Sequence, residues 1–387
     1  MCGGRQSFTR QCAERALAGH LRRVALLAGL SLAACLASAP SALAGANELH
    51  SFDRTITSAG SKCAFTEPGA VAMSRTGETY VIDRATDRLE RFSAEARSTR
   101  EAECLTSKKL GVAETSEATN EGLAVDNSGT GFSNGDVWVW APEEKALERF
   151  VPEAGKLTLS VHGKFKKFKN LEGETIEFES EVYGLATDAS GDLWMYTSEG
   201  SIYVFSGQEV PQLIAFYETN VGTCAPEPGF AVAPHGEFLY VGRERENGIE
   251  ECDSEAPSLV RVNGEGAPVG PKGEELTFAF ESQLDWDGVA GARVDPSSGD
   301  IYFDNGTSVT EFTGEGGFVQ RFAQSGAGAL KLGQGLGVDS VNGEIAAADD
   351  DAEFNGIVNL YKEQTQTDSP ASPTPGHELA DGRRWEQ

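Results

Sequence analysis

Between residues 69 and 361 the chain states one phrase six times. The phrase is a glycine, a short apolar strand, a glycine turn, a second strand rich in aromatics, another turn and a third strand. The first copy is Gly69 to Phe92, GAVAMSRTGETYVIDRATDRLERF. Later copies open with GLAVD at Gly122, GLATD at Gly184, GFAV at Gly229, GARVD at Gly291 and GLGVD at Gly335. One copy cannot bury both faces of its own strands, so the copies must pack on one another. A fourth strand follows the second copy (LTLSVHG), the third (QLIAFYE) and the fifth (FVQRF). The intervals contain the roughly 40–50 residues of one four-stranded propeller blade, plus insertions.

The sixth copy has no fourth strand on its C-terminal side. Leu49–Ile56, LHSFDRTI, precedes the first copy and supplies a spare one. In a ring the first and last copies are neighbours. The sequence therefore predicts an all-β, six-bladed β-propeller closed by an N-terminal strand that pairs with the last blade. Closure removes the unpaired sheet edge that an open array would expose.

The glycine–apolar–alanine–valine–aspartate strand, the glycine turn, the aromatic second strand and third strands such as DRLERF and KALERF resemble the NHL repeats of six-bladed propellers. The resemblance covers about Leu49 to Tyr361. Two copies depart from it: the aspartate closing the first strand is replaced by Ser74 in the first copy and by Pro234 in the fourth. The resemblance implies two kinds of function. Propellers of this shape include binding platforms. They also include metal-dependent lactonases and lyases, whose sites need His, Asp, Glu or Asn converging on the channel from several blades.

The chain divides into three parts. Residues 1–44 read as a signal peptide. Arg5, Arg10, Arg15, Arg22 and Arg23 precede the apolar run Val24 to Leu36, and Ala42-Leu43-Ala44 is an A-x-A site, which places cleavage before Gly45. Leu32-Ala33-Ala34-Cys35 is a rival signal, a lipobox that would put a lipid on Cys35 and tether the chain to the outer face of the membrane. Residues 45–364 are the propeller. Residues 365–387 are a Pro/Ser/Thr-rich linker or a truncated tail. The expected location is secreted, or lipid-tethered by Cys35, with no transmembrane segment in the mature chain.

Four cysteines lie beyond residue 44: Cys63, Cys104, Cys224 and Cys252. An even number in an exported chain points to disulfides. Of the three pairings open to them, Cys63–Cys104 and Cys224–Cys252 are favoured because each couple flanks one repeat. No Cys/His spacing fits a zinc site.

The formal net charge is −28, and setting aside the basic segment 1–44 makes the remainder more acidic still. Such a field repels phosphate backbones, so nucleic acid is not an expected partner. The histidines beyond residue 44, His50, His162, His235 and His377, do not recur at matching positions, which weighs against a shared ligand set. Asp126, Asp188, Asp295 and Asp339 each end a first strand just before a glycine turn, where an Asx-turn is expected. Asp349-Asp350-Asp351 would alternate between faces of a strand, so a solvated loop is expected there, with Ca²⁺ the ion to fit if they converged.

The insertion from Lys164 to Val182, KFKKFKNLEGETIEFESEV, predicts a projecting hairpin with Lys opposite Glu. Phe165, Phe168 and Phe178 are its candidate partner-contact residues. The sequence thus leads to an exported, non-catalytic binding or scaffold domain without a cofactor, serving a protein or cell-envelope partner. The alternative is a Ca²⁺-dependent enzyme of the lactonase or lyase type with its site in the channel.

Overall fold

The sequence folds into strands joined by tight turns, here seen in a computed structural model. The structure describes residues 49–57, 66–94, 104–107, 110, 122–129, 134–153, 156–178, 180–218, 226–243, 258–263, 276–279, 290–350 and 356–364. The segment 1–44, Cys35 within it, and the tail 365–387 lie outside these residues, as do Cys63, Cys224 and Cys252. Only the backbone of Cys104 falls within them, so the disulfide expectation also lies outside.

The chain starts with β1 (Leu49–Ile56). Blade 1 is β2 (Pro68–Met73), β3 (Thr79–Asp83), β4 (Arg88–Phe92) and β5 (Cys104–Thr106). Blade 2 is β6 (Leu123–Val125), β7 (Val137–Ala141), β8 (Ala146–Glu153) and β9 (Lys156–Phe165). A hairpin of β10 (Lys167–Lys169) and β11 (Thr175–Glu177) follows. Blade 3 is β12 (Val182–Thr187), β13 (Leu193–Thr197), β14 (Ser201–Phe205) and β15 (Leu213–Glu218). Blade 4 is β16 (Pro226–Val232), β17 (Phe238–Arg243), β18 (Ser258–Asn263) and β19 (Leu276–Ala279). Blade 5 is β20 (Gly291–Val294), β21 (Ile301–Asp304), β22 (Val309–Phe312) and β23 (Phe318–Phe322). Blade 6 contains β24 (Gly333–Asp339), β25 (Glu344–Asp349) and β26 (Ile357–Gln364).

Each blade is a four-stranded antiparallel sheet, and the sixth is completed by β1 in the order β1-β26-β25-β24. The pairing runs from Leu49 opposite Gln364 to Ile56 opposite Val358, with a register shift between Phe52 and Arg54. The expected closing strand is therefore present. Inner strands touch in sequence around the ring, β2 to β6, β12, β16, β20, β24 and back to β2. The fold is an all-β, six-bladed propeller. The outer strands of blades 1 and 4, β5 and β19, were hidden in the sequence by their shortness and by the insertions around them.

The core is distributed between blades. Alternation sends neighbouring residues of one strand to opposite faces, and each face meets a different blade. Tyr80 and Ile82 pack with Leu123, Val137 and Phe150 of blade 2, whereas Val81 packs with Ala346, Val358 and Leu360 of blade 6. Comparable clusters fill the remaining joints among the described residues. Burying each large apolar side chain contributes about 1.5–3 kcal/mol, so every joint holds its two blades by several such contributions.

Small residues set how closely the blades approach. A Cβ on Gly184 of blade 3 would run into the Cβ of Phe230 of blade 4. One on Gly337 of blade 6 would lie 3.1 Å from the backbone of Ala72 in blade 1.

Candidate functional site

The first strand of every blade ends in a turn or loop whose glycine amide returns to the carbonyl of the strand's closing residue, and the side chain of that residue decides how the turn is held. Asp126 accepts the Ser128 N–H at 2.9 Å, Asp188 that of Ser190 at 2.8 Å, Asp295 that of Ser297 at 2.8 Å and Asp339 that of Val341 at 3.0 Å. These are the expected Asx-turns. In blade 1 the Ser74 hydroxyl does the same work, accepting the Glu78 N–H at 3.0 Å. Blade 4 requires a correction. Its closing residue is Ala233, not Pro234: the Ala233 N–H donates to Phe238 O and the Ala233 carbonyl accepts from Gly236. Those bonds match the ones Asp188 makes with Asp192 O and Gly191 N. Pro234 follows the apolar run in the sequence, but it lies one residue into the turn.

Counting back two residues from each closing residue gives the ring that faces the channel: Ala72, Ala124, Ala186, Ala231, Arg293 and Gly337. Five are small and one is an arginine. The Arg293 guanidinium reaches across the channel to backbone carbonyls of several blades. Nη1 donates to Ala292 O at 2.7 Å and Phe230 O at 3.4 Å; Nη2 donates to Leu123 O at 3.2 Å and Val71 O at 3.5 Å. Blades 1, 2, 4 and 5 thus share one side chain. A cavity of about 140 Å³ lies at the end of the channel where the inner strands finish, walled by Ala124, Val125, Ala231 and Val294 among others. Among the described residues, the charged ones along its wall are Arg293 and Asp188. Both carboxylate oxygens of Asp188 are engaged, by the Ser190 and Asp192 amides and by the Trp194 indole N–H at 3.0 Å. The signal for Arg293 in the sequence is a difference between copies, not a shared feature: it is the one charge at that position in the six aligned copies.

A second repeated position joins blades further out. Opposite the aromatic of the second strand stand Arg91, Arg149 and Arg261, paired with Tyr80, Trp138 and Tyr240. Each donates to a backbone carbonyl of the next blade: Arg91 to Glu153 at 3.0 Å, Arg149 to Gln208 at 3.2 Å and Arg261 to Gly314 at 2.8 Å. In blade 5 the position is Glu311, opposite Tyr302, and its partners reverse in sign. Glu311 lies 3.3 Å from His50 Nδ1 on the closing strand and accepts from Gln320. The His50 ring contacts Gly343 O through Nε2 at 2.8 Å and stacks on Phe322. Burial pulls the His50 pKa down, but Glu311, the Gly343 carbonyl and Glu363 outweigh it and raise it overall. His50 is therefore a joint between blades. His235 lies exposed in its turn, and the side chain of His162 and all of His377 fall outside the described residues.

The hairpin has the expected ladder, with Lys167 opposite Glu177 and their charged groups 2.5 Å apart. Its aromatic face differs from the expectation. Phe168 and Phe178 are 8% and 6% exposed and pack with Trp140, Tyr203 and Phe205. Phe165 lies half-buried beside Trp138. Phe168 and Phe178 share one face of the hairpin, and that face folds onto the joint between blades 2 and 3. The exposed large apolar residues of the hairpin are Leu171 in its turn, 60% exposed, and Ile176, which pairs with Phe168 and is 36% exposed.

The acidic run of blade 6 also differs from a solvated loop. Asp349 is buried and accepts the amides of Lys331 and Leu332, while Asp350 pairs with Arg84 at 3.0 Å. Asp351 lies outside the described residues. Asp83 plays the same part in blade 1, accepting the Thr66 and Glu67 amides. The sequence signal for this second set of structural aspartates is the acidic residue that ends the second strand, as in TYVID. Among the described residues no group of three or more His, Cys, Asp or Glu side chains is arranged to hold a metal ion. No described helix is long and apolar enough to cross a membrane.

No family model and no curated protein matches the chain. Solved structures similar to it include regucalcin, a calcium-binding protein from Agrobacterium tumefaciens, at 14% identity and a TM-score of 0.48, over 81% of this chain and 96% of that one. Virginiamycin B lyase from Staphylococcus aureus is similar at 11% identity and a TM-score of 0.46, over 81% and 99%. A WD40 β-propeller domain is similar at 11% identity and a TM-score of 0.49, over 82% and 98%. The likeness is one of fold.

Proposed function

We propose that the chain is an exported, non-catalytic propeller of NHL-like repeats that serves as a binding or scaffold domain for a protein or cell-envelope partner. The observation that carries this reading is Arg293. A metal-dependent propeller enzyme gathers carboxylates and imidazoles around the channel axis. Here the ring facing the axis is four alanines, a glycine and an arginine whose guanidinium reaches across the channel. A fixed positive charge there repels a divalent cation. The repeated Asx-turns and second-strand aromatics support the NHL likeness, and the basic and apolar run of 1–44 with its A-x-A site supports export. Blades locked by buried joints make a rigid platform whose loops vary freely. Contact with the partner falls to the outward face of the hairpin in 164–182, led by Leu171, and to the insertion 243–257, of which residues 244–257 lie outside the described residues.

Calcium is the direct test. Thermal denaturation of the purified chain in Ca²⁺ and in excess EDTA should give the same midpoint, and metal analysis should find no stoichiometric calcium. Stoichiometric Ca²⁺, with a midpoint that falls in EDTA, would overturn the reading in favour of a Ca²⁺-dependent lactonase- or lyase-type enzyme.

A further inference from the structure

We propose that the cleft between the hairpin and blade 3 binds a trimethylammonium group, held by the rings of Phe168, Phe178 and Tyr203 and by the Glu199 carboxylate. The site lies beside the hairpin surface assigned above to a macromolecular partner and does not depend on that assignment.

Shape makes the first case. A cavity of about 140 Å³ opens here, lined from the hairpin by Phe168, Glu177 and Phe178 and from blade 3 by Met195, Glu199 and Tyr203 among others. A protein cavity of about 150 Å³ accepts a benzene-sized guest, and a trimethylammonium head is of similar size. Three aromatic rings in different planes bound the space. The Phe168 centroid lies 4.9 Å from that of Phe178, with the planes 38° apart, and 5.6 Å from that of Tyr203, at 75°. Rings so arranged do not form a slot for a flat guest, but they touch a round one from several sides. A cation within about 6 Å of a ring centroid is attracted by the ring quadrupole, and aromatic cages recognise quaternary ammonium in this way.

Charge makes the second. Glu177 is paired with Lys167 at 2.5 Å, so those two charges offset one another. Glu199 is exposed in the turn between β13 and β14 and forms no ion pair among the described residues. Burial raises the Tyr203 pKa, and the Glu199 and Glu218 carboxylates raise it further, which marks negative potential at the phenol end of the cleft. The chain's net charge of −28 favours a cation over an anion at any such cleft.

The inner wall narrows the kind of cation. Phe168, Phe178, Met195 and Thr197 are its buried part. The Thr197 hydroxyl is already bonded to the Ser201 backbone, and the Met195 thioether is a weak acceptor. A primary ammonium entering there would bring three N–H donors without matching acceptors. Methyl groups need none, so the buried part suits the methyls while Glu199 at the exposed part meets the charge.

The test uses the full chain and two probes of the same shape, choline and its neutral carbon counterpart 3,3-dimethylbutan-1-ol. Calorimetry or chemical-shift titration is run at about 0.15 M salt, where the general field of the chain is screened beyond about 8 Å. The expected result is saturable, one-to-one binding of choline, with the alcohol weaker by about fivefold or more. Tyr203→Leu should remove most of that preference. Glu199→Gln, at an exposed position that leaves the fold intact, should weaken choline by about twofold to fivefold and leave the alcohol unchanged. Should Tyr203→Leu fail to fold, the probe pair and Glu199→Gln decide. Equal binding of the two probes, no saturable binding of choline, or unchanged choline affinity in Glu199→Gln would each overturn the proposal. Flotation with vesicles separates the sources of the group. Retention by phosphatidylcholine and not by phosphatidylglycerol assigns it to a lipid headgroup, and retention by neither, with choline bound, to a free cation. Equal retention by both would overturn the assignment to trimethylammonium. The calcium experiment is read separately, so either idea can fail without the other.

Discussion

Glu90 lies in the third strand of blade 1 with 2% of its surface exposed. Burial, aided by the nearby Asp83 carboxylate and opposed by Arg88, pushes its pKa up to about 7. A carboxyl whose folded pKa is raised gives stability that is fully present below the unfolded value, near 4.5. That stability is lost as pH rises through the folded value, near 7. Glu90→Gln keeps the shape and removes the proton. It should leave stability at pH 4 nearly unchanged and raise it at pH 8 by on the order of 2–3 kcal/mol. Urea denaturation at the two pH values checks this; a variant less stable than the parent at pH 8 would show that ionised Glu90 is well accommodated. The same scale shows what the letters of the chain reveal. Asp126, Asp188, Asp295 and Asp339 were readable as turn residues because an Asx-turn needs only its own neighbours in sequence. Ala233 was misplaced by one residue because nothing local marks an alanine that closes a strand. The raised pKa of Glu90 comes first from burial that only the assembled ring creates and then from Asp83, which the strand pairing places nearby.

Among elements, the closing strand β1 was the most legible, because the sixth copy lacked a fourth strand and residues 49–56 had no other partner. Its anchor was not legible: His50 meets Glu311, Gln320 and Gly343 from residues far along the chain. The groups facing His50 include Glu311, Tyr302, Glu363 and Asp300. Since its pKa is raised, the stability from protonated His50 is complete below about 6.5 and fades as pH rises above that value. His50→Gln should flatten that part of the pH profile and lower the melting temperature at pH 6 more than at pH 9; an equal loss at both would assign His50 a packing role alone. The hairpin 164–182 was legible as a hairpin from its alternation, yet the direction of its phenylalanines was not, because alternation fixes which residues share a face and not what that face meets. Close approach of strands makes the third case. Gly184→Ala forces a methyl into Phe230 and should destabilise by about 1–3 kcal/mol, the usual cost of overpacking. Chemical denaturation reads this directly, and a neutral effect would mean that blades 3 and 4 can separate slightly at no cost.

At the scale of the molecule, the ring is a circle of two-sided joints, each made by strands that show alternate residues to different neighbours. That explains why the repeat was legible and the channel was not. A repeat announces itself through what its copies share, whereas Arg293 matters through what its five counterparts lack. It also explains why the N-terminal strand matters beyond its eight residues. Without it, β26 would present an open edge, and Phe52 and Ile56 would leave the joints on either side of blade 6. Hydrogen–deuterium exchange of the full chain tests this most directly. If the ring closes through β1, the amides of residues 49–56 that bond to β26 will exchange as slowly as those of β25 and β26, and all three will lose protection together as denaturant is added. Rapid exchange of residues 49–56 while β25 and β26 remain protected would contradict the closed ring.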